Sequence, residues 1–540
     1  MTRFKSFIKC AAFVLAAVFC INSALSVLVP KNYTGEWQSP VTTYCGFYDL
    51  ERDTADLLFL GSSHVFSSFC PQALYDEYGI TSYNLSMGNQ NLLMSYYWLM
   101  EALRTQSPSV VVVEGTFAFD RCGNPSNSIE TSTQKSINYM HWSSNRIRAI
   151  RALCEIDPEM YSTEQFIPNI RYHERWKELH EEDFTLGEIR SRDRLMGFSG
   201  NFRYSGGIKE YQPYKAADGA AAAAGGSTET AEGSAAASDG STETAEGAAA
   251  AAGGSQETAG EKMVPAMKEY LDRIAYTCRE RNIRLILTLT PSLNTTRPMH
   301  IAMREYAKEQ GLEFLDFNTE DMIREMGYEF EVDNEDKEHP NIWGAQKITH
   351  RLGEYLTGEK TGGAALQPHR DEQWEKTREN YENAIKDAEL VRTDDIYAYL
   401  SALRDERYSV LIAVKGEASE WDDDRIAGEL ADLGLDEDLR ELNGDSYFAV
   451  IDAGEVREEE SGTEEIRSTG VIRNGRTIYE IDSKGSAADE LTYGYSSILI
   501  NDKECSVNGR GINIAVVLNE NAAVIDKVCF HLGGKLKAER

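Results

Sequence analysis

Short apolar runs alternate with longer segments of helical periodicity through the first part of the chain. The apolar runs are typical of β-strands and lie at residues 56–60, 81–85, 109–113, 284–289 and 313–317. The segments with helical periodicity lie at residues 72–78, 92–105, 264–281, 301–310 and 345–356. This alternation predicts a parallel sheet covered by helices on both faces, an α/β/α sandwich. Because right-handed crossovers bring the carboxyl ends of parallel strands to one edge, we expect a functional site at that edge.

The predicted sheet domain spans residues 45–360 and carries an insert at residues 120–262, between its third and fourth strands. Within the insert, residues 216–261 contain no valine, isoleucine, leucine or aromatic residue, and a unit of the type STETAEG begins at Ser227, Ser241 and Ser255. Such a segment cannot bury enough apolar surface to offset the loss of chain entropy. We therefore predict a disordered, low-complexity surface loop.

A smaller second domain is predicted at residues 393–535, after a helical spacer at residues 361–392 that is rich in charged residues. The Thr393-Asp394-Asp395 segment can cap a helix that ends near Leu403. Further elements of this domain are a strand at 408–414, a helix at 423–433 and a hairpin formed by 512–518 and 524–530. The pattern predicts a small mixed α/β unit.

Charge and cysteine spacing exclude several functions. The chain has 540 residues, with 88 acidic against 55 basic side chains and a formal net charge of −33. Such a surface repels a phosphate backbone, so we expect no nucleic-acid partner. The nine cysteines have neither the CxxC nor the Cys/His spacing of a zinc site. We expect no metal and no cofactor.

The N-terminal segment predicts export. Arg3, Lys5 and Lys9 precede residues 10–29, a stretch of twenty residues without a charged side chain. This length reaches the ~20 residues that a membrane helix needs. Residues 1–31 are therefore predicted to form a single-pass anchor in the cell membrane, with the N-terminus in the cytoplasm and the remaining domains outside. The alternative is a cleaved signal segment and a secreted protein.

Two short motifs could carry chemistry. Gly61-Ser62-Ser63-His64 follows the first predicted strand, where a tight turn into a helix can expose a serine hydroxyl. Asp336 and His339 lie three positions apart in a loop before the last helix of the sheet domain, so the carboxylate can orient the imidazole towards a serine. Taken singly, the first motif is more often a structural turn and the second a pair of solvated polar residues that cap a helix.

Together, the GxS turn and the DxxH loop resemble the SGNH/GDSL hydrolase superfamily. The chain looks most like its membrane-anchored branch, which includes the teichoic acid D-alanine transfer protein and the alginate O-acetylation proteins. The segments that carry the likeness are DLLFLGSSH, SYNLSMGNQ, YHERW, LTPS and HPNIWGAQK. The resemblance implies a flavodoxin-like α/β/α sandwich with Ser63 as nucleophile, His339 as general base and Asp336 as its orienting partner. Ser62 is the competing nucleophile.

The same resemblance assigns the oxyanion donors with one departure. The backbone amide of Ser63 and the Gly88-Asn89 pair after the second strand would serve as donors. Family members often supply a further donor from the asparagine of a GxND segment after the third strand. Here that strand runs into Glu114-Gly115-Thr116, with no asparagine. Removal of one such donor typically costs ~100-fold to 1000-fold in rate.

The C-terminal domain resembles the interleukin-like EMT-inducer domain, a carbohydrate-binding stem in a glycosyltransferase. The likeness rests on residues 409–416, on YFAVIDAG at 447–454 and above all on GRGINIAVVLNENAAVIDKVCF at 509–530. It implies carbohydrate binding by residues 393–535. In an exported domain, Cys505 and Cys529 could form a disulfide.

These resemblances imply an extracytoplasmic enzyme of acyl esters, either an O-acyl (acetyl) transferase or an esterase. Its partner would be a cell-surface glycan or polysaccharide, and a membrane-bound O-acyltransferase would supply the acyl group. The alternative is a catalytically weak scaffold or a lectin-like surface protein, which the missing asparagine favours.

Overall fold

A computed structural model describes residues 2–28, 40–119, 132–159, 161–179, 181–184, 195–200, 211–215, 261–358, 366–416, 423–475, 477–488, 493–520, 522–531 and 538–540. Apart from Glu261, the predicted disordered loop at residues 216–261 lies outside the described residues.

The first domain contains a parallel sheet, as predicted. Its strands are β1 (Leu57–Gly61), β2 (Ser82–Ser86), β3 (Val110–Glu114), β4 (Arg284–Leu289) and β5 (Glu313–Asp316). All neighbours are parallel, and the order across the five-stranded sheet is β2-β1-β3-β4-β5. This order places a topological switch point at β1 and β3, where open α/β sheets bind ligands beyond the carboxyl ends of the strands.

Helices precede, connect and follow the strands of this sheet. They are α1 (Thr2–Ser26), α2 (Pro40–Asp49), α3 (Ser63–Ser68), α4 (Pro71–Tyr78), α5 (Leu92–Ala102), α6 (Ser132–Asn138), α7 (Ser144–Ile156), α8 (Pro168–Arg171), α9 (Pro265–Glu280), α10 (Arg297–Gln310), α11 (Glu320–Met326), α12 (Phe330–Asp333) and α13 (Ile342–Thr357). Short 3-10 helices lie at Thr116–Ala118, Thr163–Phe166, His173–Lys177 and Glu181–Phe184.

Local sequence signals set several helix ends. Pro71 begins α4, and Gly79 ends it in the left-handed conformation at φ 65°. The Asn91 side chain caps α5 by accepting a hydrogen bond from the Met94 amide. These signals determine where α4 begins and ends and where α5 begins.

Alternate residues of each strand enter two separate cores. Leu58 and Leu60 of β1 pack into one core with α5, α9 and α10, whereas Leu57 and Phe59 face the other core, against α4 and α13. This alternation follows from the two-residue period of a β-strand. The sheet is therefore buried on both faces, as a parallel sheet requires.

The second domain consists of antiparallel strands with two helices. After α14 (Glu372–Arg392), its elements are α15 (Ile396–Ala402), β6 (Tyr408–Lys415), α16 (Asp424–Asp432), a 3-10 turn (Leu439–Glu441), β7 (Ser446–Asp452), β8 (Glu455–Gly462), β9 (Ile466–Val471), β10 (Ile478–Lys484), β11 (Tyr495–Ile500), β12 (Lys503–Glu504), β13 (Gly511–Leu518), β14 (Ala523–His531) and β15 (Ala538–Glu539). The predicted hairpin is confirmed, because β13 pairs antiparallel with β14.

Two sheets stack in this domain. A six-stranded sheet has the order β15-β14-β13-β6-β7-β8, and a four-stranded sheet has the order β12-β11-β10-β9. Leu411 and Phe448 of the larger sheet meet Ile481 and Ile498 of the smaller one in a shared core. Helices α15 and α16 cover the other face of the larger sheet.

Helix α14, at the position of the expected spacer, packs against both domains. Trp374 is buried in the core of the sheet domain, and Tyr381 is buried in a cluster to which both domains contribute. Arg378 Nη2 donates to Asp76 Oδ1 of α4 at 2.8 Å.

Two expectations have a different outcome. Among the described residues, no helix is long and apolar enough to cross a membrane, so the predicted N-terminal membrane helix is not confirmed. The disulfide that Cys505 and Cys529 could have formed is not present, because both cysteines are free and buried. The Cys505 thiol donates to the Lys503 carbonyl at 3.4 Å, and Cys529 Sγ packs so closely on Gly509 that a Cβ there would lie 2.6 Å away.

Candidate active site

The turn that follows β1 depends on Gly61. Its φ is +154°, and a Cβ at this position would lie 2.7 Å from Val65 Cγ2 and 3.0 Å from Glu114 Cβ. Only glycine combines this backbone conformation with so close a neighbour. The chain therefore passes from strand to helix at once, and Ser63 becomes the first residue of α3 at the carboxyl edge of the sheet.

The two serines of the turn have different partners. Ser62 is fully buried, and its hydroxyl caps α3 by accepting a hydrogen bond from the His64 amide at 3.3 Å. Ser63 is partly exposed, and its Oγ lies 2.8 Å from His339 Nε2. Ser62 is thus engaged in a helix cap, whereas Ser63 is the hydroxyl that an imidazole contacts.

The predicted triad residues lie together. His339 Nδ1 lies 2.9 Å from Asp336 Oδ2 and 3.0 Å from Oδ1. Partial burial acts to raise the pKa of Asp336, but hydrogen bonds from the His339 side chain and from the amides of Glu338 and His339 lower it to about 2. The carboxylate therefore stays ionised and favours the tautomer with the proton on Nδ1, which leaves the Nε2 lone pair towards Ser63.

The loop that carries Asp336 and His339 is held at both ends. The Leu293 amide donates to the Lys337 carbonyl at 2.8 Å, and the Glu335 amide donates to the His339 carbonyl at 2.8 Å. After the loop, Asn341 caps α13 by accepting hydrogen bonds from the amides of Trp343 and Gly344. These bonds fix the position of the imidazole relative to β1.

Gly344 in the HPNIWGAQK segment allows a close contact between two stretches of backbone. A Cβ at Gly344 would lie 2.2 Å from the Asp333 carbonyl oxygen, so the first turn of α13 packs directly on the preceding backbone. The Asn341 amide also donates to this carbonyl, at 2.9 Å. The pattern of asparagine and glycine after His339 therefore anchors the loop to the last helix.

Gly88 and Asn89 reach the same edge of the sheet. Ser86, the last residue of β2, pairs with Gly61, and the two residues follow in the adjoining loop. Asn89 is exposed with φ 55°, and a Cβ on Gly88 would meet open space. Within the described ranges, no hydrogen bond joins the Asn89 side chain to Ser63 or His339. Its role as an oxyanion donor stays a prediction.

Two buried residues beside the triad were not singled out from the sequence. His64 is 3% exposed, and its Nδ1 lies 3.7 Å from Glu114 Oε2 at the end of β3. Its ring centre lies 5.6 Å from that of His339. Burial acts to lower the pKa of His64, but the carboxylates of Glu114, Glu338 and Asp336 raise it overall. Two features of the sequence could have drawn attention to this pair. His64 directly follows Ser63, and Glu114 stands where an asparagine was expected.

Glu114 occupies the place of the missing oxyanion asparagine. Its carboxylate is fully buried and accepts hydrogen bonds from the amide and the hydroxyl of Thr116. A carboxylate accepts hydrogen bonds and cannot donate one while ionised. This residue therefore does not replace the missing donor directly.

Comparison with known proteins leaves the geometry as the main guide to function: no protein-family model and no curated protein sequence matches this chain.

Proposed function

We propose that the chain is a serine enzyme of acyl esters that works through Ser63, His339 and Asp336. The observation that carries this proposal is the continuous hydrogen-bonded arrangement, with 2.8 Å from Ser63 Oγ to His339 Nε2 and 2.9 Å from His339 Nδ1 to Asp336. In such an arrangement the imidazole takes the serine proton while the oxygen attacks an acyl carbon. The likeness to the SGNH/GDSL hydrolases supports the same reaction.

The acyl-enzyme then reacts with water or with a sugar hydroxyl. We propose a cell-surface glycan or polysaccharide as the partner, supported by the sequence likeness of the C-terminal domain to a carbohydrate-binding domain. Transfer to the glycan and hydrolysis of a glycan ester use the same serine, and exclusion of water by the surrounding loops decides between them. The cell-membrane location and the O-acyltransferase that supplies the acyl group remain predictions from the sequence.

A fluorophosphonate probe tests the proposal. Ser63 Oγ would form a bond to phosphorus, fluoride would leave, and His339 would take the serine proton. We expect labelling of the full chain and release of nitrophenol from nitrophenyl acetate, and Ser63→Ala should abolish both.

Ser62→Ala is the matched control for the neighbouring hydroxyl. Because Ser62 caps α3 and is fully buried, its removal should cost about 1 kcal/mol of stability and leave labelling of the folded protein intact. Labelling that survives in Ser63→Ala would refute the assignment.

A scaffold or lectin-like role is the second candidate, and Glu114 is the observation that favours it. At the end of β3, the Glu114 carboxylate accepts hydrogen bonds from Thr116 and lacks the amide donor of an asparagine, which would leave the acyl chemistry slow. Binding of the full chain to a glycan array without any labelling of Ser63 would support this candidate.

A further inference from the structure

Three side chains that can bind a metal converge beside Ser63. One ligand atom each from His64, Glu338 and His339 lies within 4.8 Å of the other two. His64 is buried, whereas Glu338 and His339 are partly exposed, so the group is open on one side. Imidazole nitrogens and carboxylate oxygens are ligands that zinc takes in proteins.

Each imidazole of this group has a carboxylate behind its Nδ1 atom. Asp336 Oδ2 lies 2.9 Å from His339 Nδ1, and Glu114 Oε2 lies 3.7 Å from His64 Nδ1. In zinc sites, a carboxylate in this position fixes the tautomer and directs Nε2 at the metal. The short contact with Asp336 therefore leaves Nε2 of His339 as its ligand atom. For His64, the charge of Glu114 at 3.7 Å from Nδ1 favours the same tautomer without a hydrogen bond.

His64 is buried beside Glu114, but their distance of 3.7 Å is too long for a hydrogen bond. In the part of the chain that the structure describes, neither ring nitrogen makes a hydrogen bond, although the side chain is only 3% exposed. A buried polar group without a hydrogen-bond partner destabilises the folded chain. A ligand on Nε2 would remove this destabilisation.

Glu338 is oriented by a neighbouring loop. Asn294 Nδ2 donates to Glu338 Oε1 at 2.5 Å, which leaves Oε2 as the second carboxylate atom for a ligand. Three carboxylates surround the two imidazoles of His64 and His339, namely those of Glu338, Asp336 and Glu114. This concentration of negative charge favours a bound cation at the site.

We propose that His64, Glu338 and His339 bind one zinc ion, and that this ion switches off the serine chemistry. Two histidines and one carboxylate are a known ligand set of zinc sites with an open fourth position, which water or Ser63 Oγ can take. His339 Nε2 has one lone pair, so it can accept the Ser63 proton or bind zinc but cannot do both. The inhibitory half of this proposal rests on the proposed function, whereas the binding half does not.

Titration of the full chain with Co²⁺ and then Zn²⁺ tests the binding half. Co²⁺ gives a visible absorption band when four-coordinate, and one equivalent of Zn²⁺ should displace it. His64→Gln and Glu338→Gln should each weaken Zn²⁺ binding on the order of 100-fold, because a neutral amide oxygen is a much poorer zinc ligand than an imidazole nitrogen or a carboxylate. Glu338 is partly exposed, so its variant tests the site even if His64→Gln does not fold.

His350→Gln is the matched control. His350 lies on α13 and pairs with Glu77 and Glu354 on the surface, so its loss should leave the Co²⁺ band and the Zn²⁺ affinity unchanged. If His64→Gln and Glu338→Gln bind Zn²⁺ as tightly as the unaltered chain, or if the chain binds none, the site does not exist.

Labelling by the fluorophosphonate probe tests the inhibitory half. Zn²⁺ added before the probe should slow labelling, a chelator should restore it, and Glu338→Gln should be labelled at the same rate with and without Zn²⁺. Ser63→Ala should still bind Zn²⁺ while it loses labelling, which separates failure of the proposed function from failure of the metal site. Zn²⁺ that binds at these residues without slowing labelling would overturn the switch.

Discussion

Two histidine–aspartate pairs lie at the carboxyl edge of the same sheet, and their surroundings differ. His339 Nδ1 lies 2.9 Å from Asp336 Oδ2, and His300 Nδ1 lies 2.6 Å from Asp316 Oδ2. The side chains of the first pair are 22% and 53% exposed, whereas those of the second are 5% and 2% exposed. At this edge of the sheet, one pair is thus partly open to solvent and the other is buried.

The third partner of each pair distinguishes their roles. His339 Nε2 faces the Ser63 hydroxyl, whereas the buried His300 Nε2 has no hydrogen-bond partner among the described residues. Asp316 instead accepts hydrogen bonds from Tyr214 Oη, the Asn318 amide and the Asn318 side chain. The comparison teaches that a histidine–aspartate pair acquires the geometry of a catalytic site from a hydroxyl and access to solvent, not from its own short contact.

The largest expected effect comes from the exposed histidine. His339→Gln should lower the rate of labelling at Ser63 by ~10⁴-fold, equivalent to about 5.5 kcal/mol, because the serine would lose its proposed general base. The rate of fluorophosphonate labelling under single-turnover conditions measures this effect.

The control for this variant is thermal unfolding. His339 is partly exposed, and among the described residues its ring makes hydrogen bonds only with Asp336 and Ser63, so the melting temperature should hardly change. If the melting temperature of His339→Gln falls together with its labelling rate, the exposed pair would contribute to stability as the buried pair does, and the proposed difference between the two pairs would be wrong.

Asp336→Asn should have the next largest effect. The amide no longer stabilises the tautomer with the proton on Nδ1, so we expect a loss of ~10³-fold in labelling rate, equivalent to about 4 kcal/mol. The expected loss is below that of His339→Gln because the Asp336 side chain is 53% exposed and water can replace part of its contact. A rate equal to that of the unaltered chain would show that Asp336 only caps the loop through the amides of Glu338 and His339.

The buried pair should respond in the opposite way. Asp316→Asn removes a buried carboxylate that accepts several hydrogen bonds, so we expect a loss of about 3 kcal/mol in the free energy of unfolding. Labelling of the folded fraction should stay within about twofold, because no hydrogen bond among the described residues joins this pair to Ser63 or His339. Urea unfolding combined with labelling separates the two effects, and a large drop in labelling at unchanged stability would assign the buried pair to the reaction.

The strands and the exposed pair were predictable because their signals are local. Each apolar run matches a strand, and Asp336 and His339 are close in sequence, so a single loop brings them together. That His339 would meet Ser63 followed from the common edge of a parallel sheet.

The remaining contacts depend on packing between distant segments. His300 lies on the buried face of α10 and reads in the sequence as an ordinary helical residue. His64 meets Glu114 only because β1 and β3 are neighbours, and the register of those strands decides which side chains face each other. Tyr214 lies in the insert, where no periodic pattern predicts a contact with the sheet.

The smallest expected effect tests how the insert stabilises the buried pair. Tyr214 Oη donates to Asp316 Oδ2 at 2.6 Å, so Tyr214→Phe removes one hydrogen bond to a buried carboxylate and keeps the ring. We expect a loss of about 1.5 kcal/mol in the free energy of unfolding, with no change in labelling. Tyr276→Phe is the matched control, because this tyrosine is 61% exposed on α9 and its hydroxyl should contribute nothing measurable. Equal stability of both variants would mean that Asp316 is satisfied by His300 and Asn318 alone, and that the insert does not stabilise the interior pair.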